Sequence, residues 1–319
     1  MRRITLALST HRPETLPAAE HYMRQHDLIL LEEPPVPEFM PMVAGEMDIR
    51  EYLEGQDFEF PMHAESMCRL VRELVRDGRA VLQVEPYLEG LNEIHELFAA
   101  GGSASDIQPG SAAARVYRAE RLATKALVEY YRISLDGSFQ SVVESVKAFA
   151  RADAERLRIR DAMRAAAVSD LLGRRSEERL YVEAGYIHWA LWGELYRGVR
   201  SMAGVRVLFL LEPVVRRLLG WRQVLGPGDC LTLIYVFHPG MVSAALDLLA
   251  ARSLIYIKIL MKSEETAEAT EYPHTRDEID CMSMVRRLSY DECRDLFVRI
   301  RSRPTAAARA MVEDFLKRR

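Results

Sequence analysis

At 319 residues the chain has room for two average domains, or for one α/β domain that carries an insertion. Its 49% hydrophobic and 28% charged residues are ordinary globular usage, with ample material for a core. A net charge of -4 gives no overall basic field of the kind nucleic acid attracts, and no run approaches the roughly 18 apolar residues that span a membrane.

Arg2 and Arg3 precede an apolar run, but residues 4–8 are too short for the hydrophobic region of a signal peptide. Cys68, Cys230, Cys281 and Cys293 lie far apart with no C-x-x-C pair. That argues against a zinc ribbon or a dithiol redox motif, and for reduced thiols in a cytoplasmic protein.

In chain order, residues 3–8 read as a strand, 14–25 as a helix with Leu16, Ala19 and Met23 on its apolar stripe, and 28–31 as a second strand. Pro34, Pro35, Pro37 and Pro41 then end regular structure, because each proline removes a backbone donor. A short helix at 48–54 and a clearer one at 61–76 follow. In the latter Met67, Leu70, Val71, Leu74 and Val75 share a face, and Gly78 supplies the C-terminal cap. Residues 80–84 form a third strand that runs into Glu85-Pro86, and a helix over 88–99 stops at Gly101-Gly102.

Residues 103–110 read as a linker, and 111–172 is helical in composition apart from a turn signal at Asp136-Gly137. This stretch is expected to be a helical insertion that caps the ligand-binding edge of the sheet. The second half is predicted as strand 180–184, helix 189–198, strand 205–211, helix 213–219, strand 231–237, helix 240–251 and strand 254–260. Trp189, Trp192 and Tyr196 share one helical face and read as core. Closing helices occupy residues 277–318, the last with Pro304 at its first turn. About seven strands alternating with helices predict a mainly parallel α/β sheet within a single domain spanning 1–319.

One pattern occurs twice. The strand at 3–8 ends on Ser9-Thr10-His11, and the strand at 180–184 passes through Gly185 to His188. Each is answered by an apolar run closing on Leu-Glu, with Glu32 21 residues after His11 and Glu212 24 residues after His188. Two strand-His, helix, strand-Glu half-units put these side chains at the carboxyl ends of parallel strands, where open α/β sheets keep their ligand crevices.

A lone strand-end histidine is ordinarily a hydrogen-bonded structural residue, whereas His11 and His188 taken with Glu32 and Arg160 point to a shared site. Glu33 and Glu85 are further carboxylates, each before a proline, where a carboxylate also serves to cap a turn. Glu183, Glu212, His63 and the remaining histidines have less context. There is no phosphate-binding loop, and no G-x-S-x-G elbow to suggest an α/β-hydrolase serine.

Gly185-Tyr186-Ile187-His188 after a strand, an earlier strand ending in Thr10-His11, and Leu31-Glu32-Glu33 together resemble a known superfamily. It comprises Tiki-type metalloproteases, TraB/PrgY-like proteins, haem-binding ChaN-like proteins and erythromycin esterases. Arg160-Asp161-Ala162-Met163 is similar to the helix start that precedes the second half in those families, and the resemblance runs over about residues 3–215. Leu8 departs from the pattern, standing where the first motif has glycine.

His11, Glu32 and His188 are a standard ligand set for a divalent transition metal such as manganese, cobalt or zinc, which would ionise a bound water and polarise a carbonyl. Without metal, a His–Glu pair acts as general base on water. Arg160 is then the clamp for an oxyanion or carboxylate, and Glu33 and Glu85 are cofactor-binding carboxylates. The expected function is hydrolysis of an ester or peptide bond in a small-molecule or peptide substrate. Alternatives are a binding module that holds haem or a regulatory peptide without turnover, and a scaffold with a vestigial crevice. The oligomeric state is left open.

Overall fold

Strands β1 (Arg2–Ser9), β2 (Leu28–Leu31), β3 (Ala80–Gln83), β4 (Arg179–Gly185) and β5 (Ala203–Phe209) form one sheet in the order β3-β2-β4-β1-β5. Every pairing is parallel, as the alternation of strands and helices predicts. The structure is a computed structural model that describes residues 2–54, 60–264 and 270–318.

The central strands are unbroken apolar runs because helices cover both faces of the sheet. Ala7, Ile29, Leu31 and Tyr181 point to one face, against α1 (Leu16–Met23), α2 (Phe39–Ala44), α3 (Ile49–Leu53) and α4 (Pro61–Arg76). The expected proline-rich loop therefore contains a short helix. Pro41 falls in its first turn, where the missing N–H would have had no intrahelical partner. A smaller cluster around Tyr87, Ile94 and Val116 joins α5 (Pro86–Ala99) to the start of α6 (Ala112–Asp136). The other sheet face, with Leu6, Leu28, Leu30 and Val182, is covered by the last turns of α7 (Phe139–Arg174) and by α8 (Trp189–Val199). In α8 the inward residues are Leu191, Leu195 and Val199. Trp192 and Tyr196, expected in the core, are instead about half exposed on its outer side.

After β5 come α9 (Glu212–Leu219), α10 (Pro227–Phe237), α11 (Ala244–Ile259), α12 (Pro273–Arg286), α13 (Tyr290–Ile300) and α14 (Thr305–Lys317). The chain divides into two compact units, one of residues 1–117 with 158–223 and one of 118–157 with 224–319. The first unit contains the sheet. In the second, all regular structure among the described residues is helical, so the predicted helical stretch 111–172 is shared between the units as α6 and α7.

The strands predicted at 231–237 and 254–260 are helices. Residues 231–237 complete α10, whose start is set by Pro227 at its first position and by Asp229, which accepts the Gly226 N–H at 3.0 Å. Residues 254–259 continue α11, which buries Leu246, Ala250, Leu254, Ile255 and Ile259. Apolar residues run around most of both helices, and such short apolar runs have no periodicity that separates them from a buried strand. No helix among the described residues is long and apolar enough to cross a membrane.

Candidate active site

Ser9 pairs with Gly185, so His11 and His188 leave the same carboxyl edge of the sheet on adjacent strands, β1 and β4. Their paths then differ. The Ser9 hydroxyl accepts the His11 N–H at 3.0 Å, and the Thr15 hydroxyl donates to the Arg12 carbonyl at 2.7 Å. Held by this turn, His11 takes a left-handed backbone with φ of 52°. That conformation costs a non-glycine residue about 1–2 kcal/mol. Leu8, which replaces the glycine of the expected motif, pairs with Ala184 and is packed in the core. The tight position opposite Gly185 belongs to Ser9, and the unusual backbone falls on the histidine itself.

This turn presents His11 to a cavity of about 410 Å³, floored by the carboxyl ends of β1, β2 and β4 and walled by residues of α2, α3 and α4. The His11 side chain is 42% exposed, and its Nε2 lies 3.8 Å from Oε1 of the buried Glu183. The His63 ring meets it edge-on with centroids 5.9 Å apart. Burial pushes the Glu183 carboxyl upward, against the pull of His11, and burial likewise raises Glu33 although Gln83 donates to it at 2.8 Å. Burial drives the His63 pKa down to about 3, with His11 adding to the effect, so His63 is neutral in ordinary buffers. Cys68 also lines the cavity, but burial pushes its thiol up to about 12, which leaves no thiolate nucleophile.

His188 lies behind the cavity lining and is buried. Its Nε2 faces Glu32 Oε1 at 2.9 Å and its Nδ1 faces Asp161 Oδ1 at 2.5 Å. Burial opposes the imidazolium, yet the two carboxylates outweigh it and push the His188 pKa up to about 9. Glu32 closes the network. It accepts the Gly185 N–H, it is 3.2 Å from Arg160 and 3.6 Å from Arg164, and these cations with His188 overcome burial to hold its carboxyl well below the usual range. Glu85, 3.7 Å from Arg160 and 3.9 Å from Arg164, is raised by burial in spite of them.

A pH prediction follows from His188. Its folded pKa is raised, so its stabilising contribution is complete below about 6.5 and is lost as pH rises through about 9. Urea unfolding midpoints should fall between pH 6.5 and 9.5, and the fall should flatten in His188→Gln. A wild-type midpoint constant across that window would refute the doubly paired imidazolium.

Gly185 permits the close packing of this network. A Cβ there would sit 3.3 Å from His188 Cδ2 and 3.5 Å from Glu32 Oε2, both pinned by hydrogen bonds. Gly185→Ala is therefore expected to cost about 1–3 kcal/mol by overpacking, read from the unfolding midpoint, and a neutral result would mean the network yields freely.

The expected residues thus fall into two groups joined by Glu32. His11, Glu32 and Glu33 line the cavity, whereas His188, Arg160 and Glu85 belong to the charge cluster behind it. The Arg160 guanidinium, expected to grip an oxyanion, faces the protein's own Glu32 at 3.2 Å and Glu85 at 3.7 Å. Glu212 starts α9 and is bound by Arg216 and Arg222, away from both groups. Sequence patterning leaves Asp161 and Arg164 without an assigned role and offers little context for Glu183 and His63. Asp161 lies inside the Arg160-Asp161-Ala162-Met163 motif, and Arg164 follows Arg160 by one helical turn, a spacing that places both on one face.

The donor set does not suit a dication shared by His11, Glu32 and His188. Both His188 nitrogens are turned to carboxylates, the ring is protonated at neutral pH, and Glu32 is flanked by two guanidiniums that repel a metal. Among the described residues no group of three or more histidine, cysteine, aspartate or glutamate side chains is disposed to hold a metal.

Fold and site together define a parallel α/β protein with a histidine and buried carboxylates at the carboxyl edge of its sheet. The chain is 29% identical over 289 residues to an uncharacterized protein of Archaeoglobus fulgidus, an alignment covering 90% of this chain and 95% of that protein. No family model matches the chain, and no solved structure matches it.

Proposed function

We propose that the protein is a hydrolase of small-molecule esters or amides, in which His11 serves as general base toward water inside the apolar cavity. The observation that carries this reading is the left-handed turn that holds the half-exposed imidazole of His11 in the cavity against buried Glu183. Backbone strain of this kind persists where the surroundings over-determine it, and it concentrates at functional sites.

Nε2 of His11 faces Glu183, and Nδ1 makes no hydrogen bond among the described residues. Nδ1 takes a proton from water as the water oxygen adds to the substrate carbonyl, Glu183 stabilises the resulting imidazolium, and the same proton passes to the departing alcohol or amine. The buried Thr10 hydroxyl has no hydrogen-bond partner among the described residues and lines the cavity beside His11. It supplies a donor for the oxygen that becomes negative.

The test is a panel of uncharged esters, lactones and anilides offered to wild-type protein and to His11→Ala, before and after exhaustive chelation. Hydrolysis that is lost in the variant and survives chelation is the expected result. Stoichiometric retention of a ligand with no product would favour the binding-module alternative.

A further inference from the structure

The cavity has an unusual balance of charge for an apolar pocket. Glu32, Glu33 and Glu183 line it, and among the described residues no lysine or arginine does. Glu32 is compensated from behind by Arg160, Arg164 and His188. Glu33 and Glu183 have no arginine or lysine partner among the described residues. Glu183, only 4% exposed, accepts no hydrogen bond there and has His11 at 3.8 Å as its nearest ionic partner. Glu33 accepts one hydrogen bond, from Gln83. Arg12 stacks on the Phe60 ring, 5.4 Å from its centroid, and does not line the cavity.

Glu33 is partly buried and faces the cavity without a lysine or arginine, so a cationic ligand there would relieve the cost of its desolvated charge. An anionic ligand would deepen that cost, and a purely apolar one would leave it unrelieved. The walls add a second preference. Phe39 and Tyr52 present aromatic surface to the same space, and a desolvated cation is drawn to such rings. Met42, Met67 and Val71 complete an apolar lining suited to a hydrocarbon body.

We propose that the cavity takes the ammonium end of an apolar amine, with Glu33 as counter-charge and Phe39 and Tyr52 as its aromatic walls. This names the substrate class for the hydrolase reading and rests on that reading only for turnover. Binding stands independently. Glu183 remains committed to His11, so the two carboxylates have separate tasks, one toward the base and one toward the ligand.

The experiment compares three probes by calorimetry at pH 8: benzyltrimethylammonium, its uncharged carbon isostere neopentylbenzene, and phenylacetate. Wild-type protein should bind the ammonium about tenfold or more tighter than the isostere, and phenylacetate more weakly than either. Glu33→Gln should abolish the preference while retaining the isostere, Phe39→Leu should reduce it, and the exposed Glu96→Gln should leave it unchanged. Equal affinity for ammonium and isostere in the wild type would overturn the proposal without need of any variant. So would a preference that persists in folded Glu33→Gln. Ammonium binding without hydrolysis of any ester would remove the hydrolase reading and keep this one, whereas hydrolysis confined to uncharged esters, with no ammonium preference, would do the reverse.

Discussion

Glu32→Ala is expected to lower the free energy of unfolding by about 3–5 kcal/mol, the range found when one member of a buried ion network is removed. The wild-type carboxylate faces His188 at 2.9 Å, Arg160 at 3.2 Å and Arg164 at 3.6 Å, and it also accepts the Gly185 amide. Its loss leaves an imidazolium and two guanidiniums close together, with Arg164 only 2% exposed. Glu85 stands farther off, 3.7 Å from Arg160 and 3.9 Å from Arg164, and is raised by burial. Glu85→Gln should cost less than Glu32→Ala, because it removes the carboxylate that lies farther from both guanidiniums. Urea titration of both variants at pH 7 tests the contrast. A Glu32→Ala midpoint close to the wild-type value would mean that the cluster is hydrated or rearranged, and that Glu32 is not its centre.

His11→Ala is expected to reduce turnover by about 10²–10⁴-fold, the usual worth of a general base. The fold should survive, because the side chain is partly exposed and makes no hydrogen bond among the described residues. His11→Gly sharpens the test. Glycine adopts a φ of 52° without steric cost, so this variant should be inactive and yet more stable than His11→Ala by about 1 kcal/mol. An inactive glycine variant more stable than the alanine variant would show that the left-handed backbone at position 11 is strained for any residue with a Cβ. A folded His11→Ala protein that hydrolyses its substrate at the wild-type rate would end the assignment of His11 as base.

Much of the first unit is legible in the residues. Residues 28–31 are apolar on both faces because helices cover both faces, and the glycine and proline punctuation around 3–8, 80–84 and 180–184 marks strands of the observed type. The carboxyl-edge placement of His11, Glu32 and His188 follows from that alternation, since parallel strands must all end on the same side. The runs at 231–237 and 254–260 were not legible as helices. Their β-branched and aromatic residues suit a strand, and only burial against neighbouring helices decides otherwise.

The sequence by itself determined the parallel sheet, the helical composition of 111–172 and the edge at which the two histidines stand, because period, punctuation and strand direction are local properties of a chain. Only the tertiary structure decided that the histidines have different surroundings, one in the cavity and one in the buried charge cluster. Lateral strand register places Glu183 beside Ala7 of β1 and so within reach of His11, while α7 brings Asp161, Arg160 and Arg164 to His188 and Glu32 from far along the chain. A carboxylate's charge and an imidazole's protonation depend on what packs within a few ångströms, and that distance is not written in sequence spacing.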